Sequence, residues 1–223
     1  MAPGYICAAG IDLKTYNHVR PTLNGRLPAG LLRRNGGPFE IGAVIDLGTT
    51  AAAGSAPEVE DRLFSRANLK LIERMNAEDF WEILEKTSET DLTSIFGPAL
   101  KPNGKTCAVN INSGIASLGC LVPSERPVIS APFGNVKIDV SDGSLSPNLP
   151  MTDVRFFEED FETPKQEAIS LASKRLRAGE EAILSVGLTR AWRKPRDTSE
   201  RHWLQVNGIH LKNDPLGESF DAL

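Results

Sequence analysis

Apolar side chains in this chain recur at every second position, but only over short stretches that end on turn-forming residues. Alternation puts successive side chains on opposite faces of an extended strand, and stretches this short suit strands that fold back on one another. Tyr5, Cys7, Ala9, Ile11 and Leu13 open the series and predict a first strand that buries this face. A turn from Lys14 to Asn17 leads into an extended segment from His18 to Leu23, so the two read as a hairpin, and Asn24-Gly25 closes it. Ile41, Ala43, Ile45 and Leu47 predict a third strand. Residues 106–111 and 115–122 are strand-like as well, with Ser113-Gly114 as turn material between them. Val136, Ile138 and Val140 then alternate with Lys137, Asp139 and Ser141 before an Asp142-Gly143 turn.

Helical signals are fewer. Asn76 reads as the cap of a helix over about 76–86, with Glu78 and Asp79 at the positive end of its dipole and Trp81 as a core anchor. A second helix is expected over 164–178, with Thr163 as cap, Pro164 at the first helical position, Gln166 completing a capping box and Gly179 as the stop. Arg175 and Arg177 in its last turn complement the dipole. Leu27 to Arg34 reads as a short helix ended by Asn35-Gly36-Gly37. Two long strands are expected at the end, Glu181–Trp192 and Trp203–Leu211, joined by a basic loop from Arg193 to His202. The fold class is mainly β. Because Pro123, Pro127 and Pro132 separate two strand-rich regions, two modules are expected, over 1–125 and 126–223.

Several function classes find no support in these residues. No apolar run reaches the roughly 18 residues of a bilayer span, and Met-Ala-Pro-Gly-Tyr lacks the basic head and apolar stretch of a secretory signal, so a cytoplasmic protein without membrane contact is expected. Cys7, Cys107 and Cys120 form no Cys-x-x-Cys pair and read as buried free thiols. His18, His202 and His210 have no metal-ligand spacing, and neither a metal nor a cofactor is expected. Residues 99–106, Ala-Leu-Lys-Pro-Asn-Gly-Lys-Thr, fit a permissive phosphate-loop pattern. Its context is wrong, since Phe96-Gly97-Pro98 precedes it where a buried strand belongs and a strand follows it where a helix belongs, so it reads as a hairpin. With no nucleophile elbow and no paired catalytic groups, the chain is expected not to be an enzyme.

The formal charge is −4, yet the cations are unevenly spread. Arg190, Trp192, Arg193, Lys194, Arg196, Arg201, His202 and Trp203 gather around the loop between the last two strands, and Arg20 and Arg26 extend the set. Cationic side chains beside aromatic planes suit phosphate neutralisation together with base stacking. The bland reading is that Trp192 and Trp203 pair across the strands as packing while the charges keep the loop soluble. A third reading is a small-nucleotide pocket lined by Arg20, Asp12 and Asp46.

The chain resembles the prokaryotic dual OB-domain proteins. The resemblance rests on Cys7-Ala-Ala-Gly-Ile-Asp12 followed by Val19-Arg20-Pro21, on Ser117-Leu118-Gly119, on Leu149-Pro150-Met151-Thr152-Asp153, and on the closing segments from Leu184 to Arg190 and from Trp203 to Ile209. It implies two tandem OB-fold-like β-barrels with two accessory helices. It also implies a nucleic-acid or nucleotide-binding accessory role in bacterial defence, with single-stranded nucleic acid or RNA favoured over duplex. The alternative is a scaffold that docks a neighbouring defence effector protein.

Overall fold

The computed structural model describes residues 4–24, 26–195 and 197–222. Its N-terminal part is a set of short ladders. β1 (Tyr5–Ile6), β2 (Gly10–Ile11), β3 (His18–Thr22), β4 (Leu27–Pro28), β5 (Ala43–Asp46), β6 (Ala51–Ala52), β7 (Asp61–Leu63) and β8 (Lys70–Arg74) pair as β1–β4, β2–β3–β7–β6 and β5–β8. They surround a small core of Ile6, Leu27, Leu31, Phe39 and Phe64. The expected hairpin is present, with Gly10 opposite Val19 and Ile11 opposite His18. The face expected to be buried is the open one, however: Tyr5, Cys7 and Leu13 are exposed, and Ile6 points into the core. Leu27 to Arg34 is not a helix. Pro28 and Gly30 resist helical propagation, and the stretch forms β4 followed by two single 3₁₀ turns, Ala29–Leu31 and Arg33–Asn35, with Gly36 in the left-handed region at φ 85°. Gly25, expected in the turn, lies outside the described residues.

Next come α1 (Ala77–Thr87), β9 (Ser88–Glu89), α2 (Leu92–Phe96), β10 (Lys101–Asn103), β11 (Thr106–Asn110), β12 (Leu118–Leu121), β13 (Val128–Ser130), β14 (Lys137–Asp139) and β15 (Asn148–Pro150). The chain ends with α3 (Gln166–Arg177), β16 (Ala182–Leu188), β17 (Arg201–Leu211) and α4 (Glu218–Asp221). α1 starts as expected: the Asn76 side chain accepts from the Asp79 N–H at 2.8 Å, and Trp81 is buried with its Nε1 donating to Glu85 at 2.7 Å. α3 begins later than expected. Its cap position is Lys165, because the Thr163 hydroxyl is engaged by Asp160 Oδ2 at 2.5 Å in a turn of its own. Gly179, at φ 93°, ends it, and Arg175 closes its last turn on Glu180.

The largest core is built inside a ring of strands. β12 pairs antiparallel with β16, and β16 with β17. β17 meets the end of β15 through a parallel bridge, Met151 to Val206, reinforced by the Thr152 N–H on Val206 O at 2.8 Å. β15 pairs with β14 and β14 with β13. β13 continues β12: between them the Ser124 N–H donates to Ser141 O at 2.8 Å, just past β14. One bent stretch, 118–130, therefore pairs with β16 through its first half and with β14 through its second, and so links the three-stranded sheet β13–β14–β15 to the larger one. The order of these strands, with α3 inserted before the fourth, is consistent with an OB fold. Alternate side chains from every strand fill it, among them Leu121, Ile138, Leu149, Met151, Leu184, Val206 and Ile209, and Ala168, Ala172 and Leu176 of α3 pack on that core. α1 covers part of the outside through Trp81 and Leu84 on Cys120 and Ile183. The β10–β11 hairpin adds to β17 at Arg201–Trp203. Residue 125 lies in the bend between β12 and β13, and strands from both sides of it share one sheet.

Candidate nucleic-acid interface

The loop 189–200 leaves the ring between β16 and β17, and its two ends are pinned. Trp192 and Arg201 exchange backbone hydrogen bonds at 3.1 and 3.2 Å, and Thr189 accepts from the Trp203 N–H through its hydroxyl at 3.0 Å. The two indoles differ. Trp203 is 2% exposed, its Nε1 donates to Trp192 O at 3.0 Å, and Lys194 Nζ lies 3.6 Å from its ring centroid. Trp192 is 43% exposed, tilted 58° to Trp203 with centroids 6.3 Å apart. The bland packing reading thus describes Trp203, and only Trp192 offers a plane to a base.

The cations divide in the same way. Arg20 is buried, with Nη1 3.0 Å from Asp61 Oδ1 and Nη2 donating to Ser117 Oγ at 3.0 Å. His202 is buried too, hydrogen-bonded through Nδ1 to Thr189 O at 3.0 Å. Arg190 reaches the surface but is held by Glu58 Oε1 at 3.0 Å and Asp61 Oδ2 at 2.5 Å. Arg201 is turned towards Ser199 and Asp197 within its own loop, and Arg26 lies over Tyr5, 5.7 Å from the ring centroid. Arg196 is outside the described residues. Arg20, His202 and Trp203 are accordingly structural, not surface, groups. Asp12 and Asp46, grouped with Arg20 in the nucleotide-pocket reading, are each engaged by backbone N–H groups of their own turns, at Lys14 and Gly48.

What remains open is Arg193 and Lys194, and the fold adds neighbours to them. Lys137, at the start of β14, is close enough for its charge to act on Lys194. Partial burial lowers the Lys194 pKa, repulsion from Lys137 lowers it further, and Asp197 opposes both. Lys101 and Lys105, on the β10–β11 hairpin, flank the same side, and Lys105 O accepts from the Asn148 N–H at 2.7 Å, tying the hairpin to β15. Among the described residues none of Lys101, Lys105, Lys137, Arg193 and Lys194 is in an ion pair. The loop 131–136 that runs into Lys137 carries a fully exposed aromatic, Phe133, at φ 52° between Pro132 and Gly134. These neighbours escape a reading of the sequence because their runs are short. The available signal is Pro132-Phe133-Gly134-Asn135, an aromatic set in a turn where it has no core to fill.

A family model for the dual OB-containing domain matches residues 1–209. The chain belongs to that family. No curated protein and no solved structure matches it. In this dual OB chain the loops 131–136 and 189–200 join the first strand of the ring to the second and the fourth to the fifth, the loops from which OB barrels contact oligonucleotides and oligosaccharides. No group of His, Cys, Asp or Glu among the described residues is arranged to hold a metal ion, and none of their helices is long and apolar enough to cross a membrane. The Cys107 and Cys120 thiols are both pushed up to about 11 by burial, which keeps them protonated and unreactive, whereas Cys7 is exposed.

Proposed function

We propose that the chain binds single-stranded nucleic acid, as a non-catalytic accessory protein of a prokaryotic defence system, on the side of the ring where the loops 131–136 and 189–200 come together. The observation that carries this reading is the pairing of unneutralised cations, Lys137, Arg193 and Lys194, with two exposed aromatic planes, Trp192 and Phe133. Separate planes on loop tips suit splayed bases better than a stacked duplex, and the cations suit the phosphates between them. The defence setting comes from the family resemblance alone.

Binding to a labelled single strand, followed by anisotropy over a salt series, tests it. Affinity is expected to fall steeply with salt, and Lys137→Ala and Arg193→Ala each to reduce the slope by about one. Arg190→Ala is expected to leave the slope unchanged and lower stability, because its charge is already spent on Glu58 and Asp61. Absence of binding, or a slope indifferent to Lys137 and Arg193, refutes the proposal. A second reading, a scaffold for an effector protein, is favoured by β8, whose five residues are all exposed, Leu71 and Ile72 included. An open strand edge of this kind, with Leu71 and Ile72 between charged neighbours, can accept a strand from a partner, and co-purification with a neighbour-encoded protein that is lost on Ile72→Lys would support it.

A further inference from the structure

The β10–β11 hairpin is an addition to the ring, and it changes what the interface can recognise. By pairing with Arg201–Trp203 it raises a wall beside the loop 189–200. Between wall and loop lies a concavity of about 370 Å³ lined by Asn103, Thr106, Lys194, Pro195, Asp197 and Trp203. Asn103 stands opposite Thr106 in the hairpin, so their side chains share a face. It is the face that carries Trp203, since Ala108, two residues on from Thr106, is the partner of Trp203.

Thr106 Oγ1 is screened from solvent and has no hydrogen-bond partner among the described residues. A hydroxyl in that state costs free energy until something pairs with it. Lys194 closes one face of the Trp203 ring, so the concavity offers in-plane polar contacts instead of a stacking platform. These are the Asn103 amide and the Asp197 carboxylate, whose Oδ1 accepts from the Thr198 N–H at 2.9 Å while Oδ2 has no partner among the described residues, and, within the wall, the Thr106 hydroxyl, which a ligand reaches as that side chain turns. A carboxylate only accepts, so the complementary ligand must bring an N–H group, and the amide and hydroxyl beside it can pair with an adjacent ring nitrogen or carbonyl. Lys194 and Lys137 stand at hand for a phosphate.

We propose that this concavity is a subsite for one unstacked nucleobase bearing an exocyclic amino group, and that it makes the chain prefer cytosine over thymine or uracil. The subsite rests on the single-strand reading above and adds base preference to it. The test compares oligocytidylate with oligothymidylate, each about 12 nucleotides long, on the wild type and on Thr106→Val, Thr106→Ser and Asn103→Ala. Cytosine oligomers should bind the wild type roughly tenfold more tightly. That ratio should fall towards one in Thr106→Val and Asn103→Ala and be kept in Thr106→Ser, which restores the hydroxyl. Equal affinity of the two oligomers for the wild type, or a preference that survives both Thr106→Val and Asn103→Ala, overturns the subsite and leaves the interface standing. Failure of both oligomers to bind removes the subsite and the interface together. Should Thr106→Val not fold, Asn103→Ala, on the hairpin at the protein surface, still decides.

Discussion

His210 shows what a side chain gains from its surroundings that its place in the sequence does not reveal. Its Nδ1 faces the Pro215 carbonyl at 2.9 Å and its Nε2 the Ser185 hydroxyl at 3.0 Å. A carbonyl only accepts, so Nδ1 carries the proton and Nε2 accepts from Ser185. Complete burial, with Arg155 adding to it, pushes the imidazole down to about 4. In the unfolded chain the ring has its ordinary value near 6.5 and takes up a proton first as the pH falls. The folded state therefore holds its full advantage above about pH 6.5 and loses it between there and about pH 4. Burial shifts His18 in the same direction, against the pull of Glu60. Thermal melts from pH 7 to pH 4.5 should show a steeper loss of stability in the wild type than in His210→Gln, and parallel slopes would mean that the histidine does not titrate as described. At this scale the sequence is least legible. Arg20 and Trp203 have the same chemistry as Arg193 and Trp192, and only their partners elsewhere in the fold decide which of them reaches water.

Elements are legible where the signal lies within one turn of chain. α1 begins at Asn76 because a single amide cap, two carboxylates and an apolar stripe agree, and the alternation of Val136, Ile138 and Val140 is that of the buried face of β14 and its flanks. Expectation and structure part where local forces compete: Asp160 takes the Thr163 hydroxyl, and Pro28 with Gly30 breaks what apolar spacing alone reads as a helix. The loop 131–136 is the most telling element. Phe133 holds a left-handed backbone, which costs a side-chain-bearing residue about 1 kcal/mol, and gains no burial in return. Phe133→Gly should therefore raise the denaturation midpoint while weakening single-strand binding. Unweakened binding would refute the stacking role, and a midpoint that does not rise would refute the strain.

At the scale of the molecule, the order of the strands is what local patterns could not supply. The ring depends on Leu118–Leu121 meeting Leu184–Gly187, and on Met151 meeting Val206, contacts between residues that carry no mark of one another. The N-terminal ladders join the ring through an equally long-range device. Glu60 accepts from the Ser117 N–H at 2.7 Å, the Ser117 hydroxyl at 2.8 Å and the Leu118 N–H at 3.2 Å, at the root of β12. Beside it Asp61 is clasped between Arg20 and Arg190, so the root of the loop 189–200 is held by the same contact. Removing Glu60 leaves two buried backbone N–H groups without acceptors, a loss of about 3 kcal/mol or more. Glutamine keeps an oxygen for both N–H groups, and the Ser117 hydroxyl can turn to accept from its amide. Urea unfolding should accordingly show Glu60→Ala well below the wild type and Glu60→Gln close to it. Equal losses in the two variants would mean that the charge of Glu60, and not its hydrogen bonds to the root of the strand, joins the two parts of the chain.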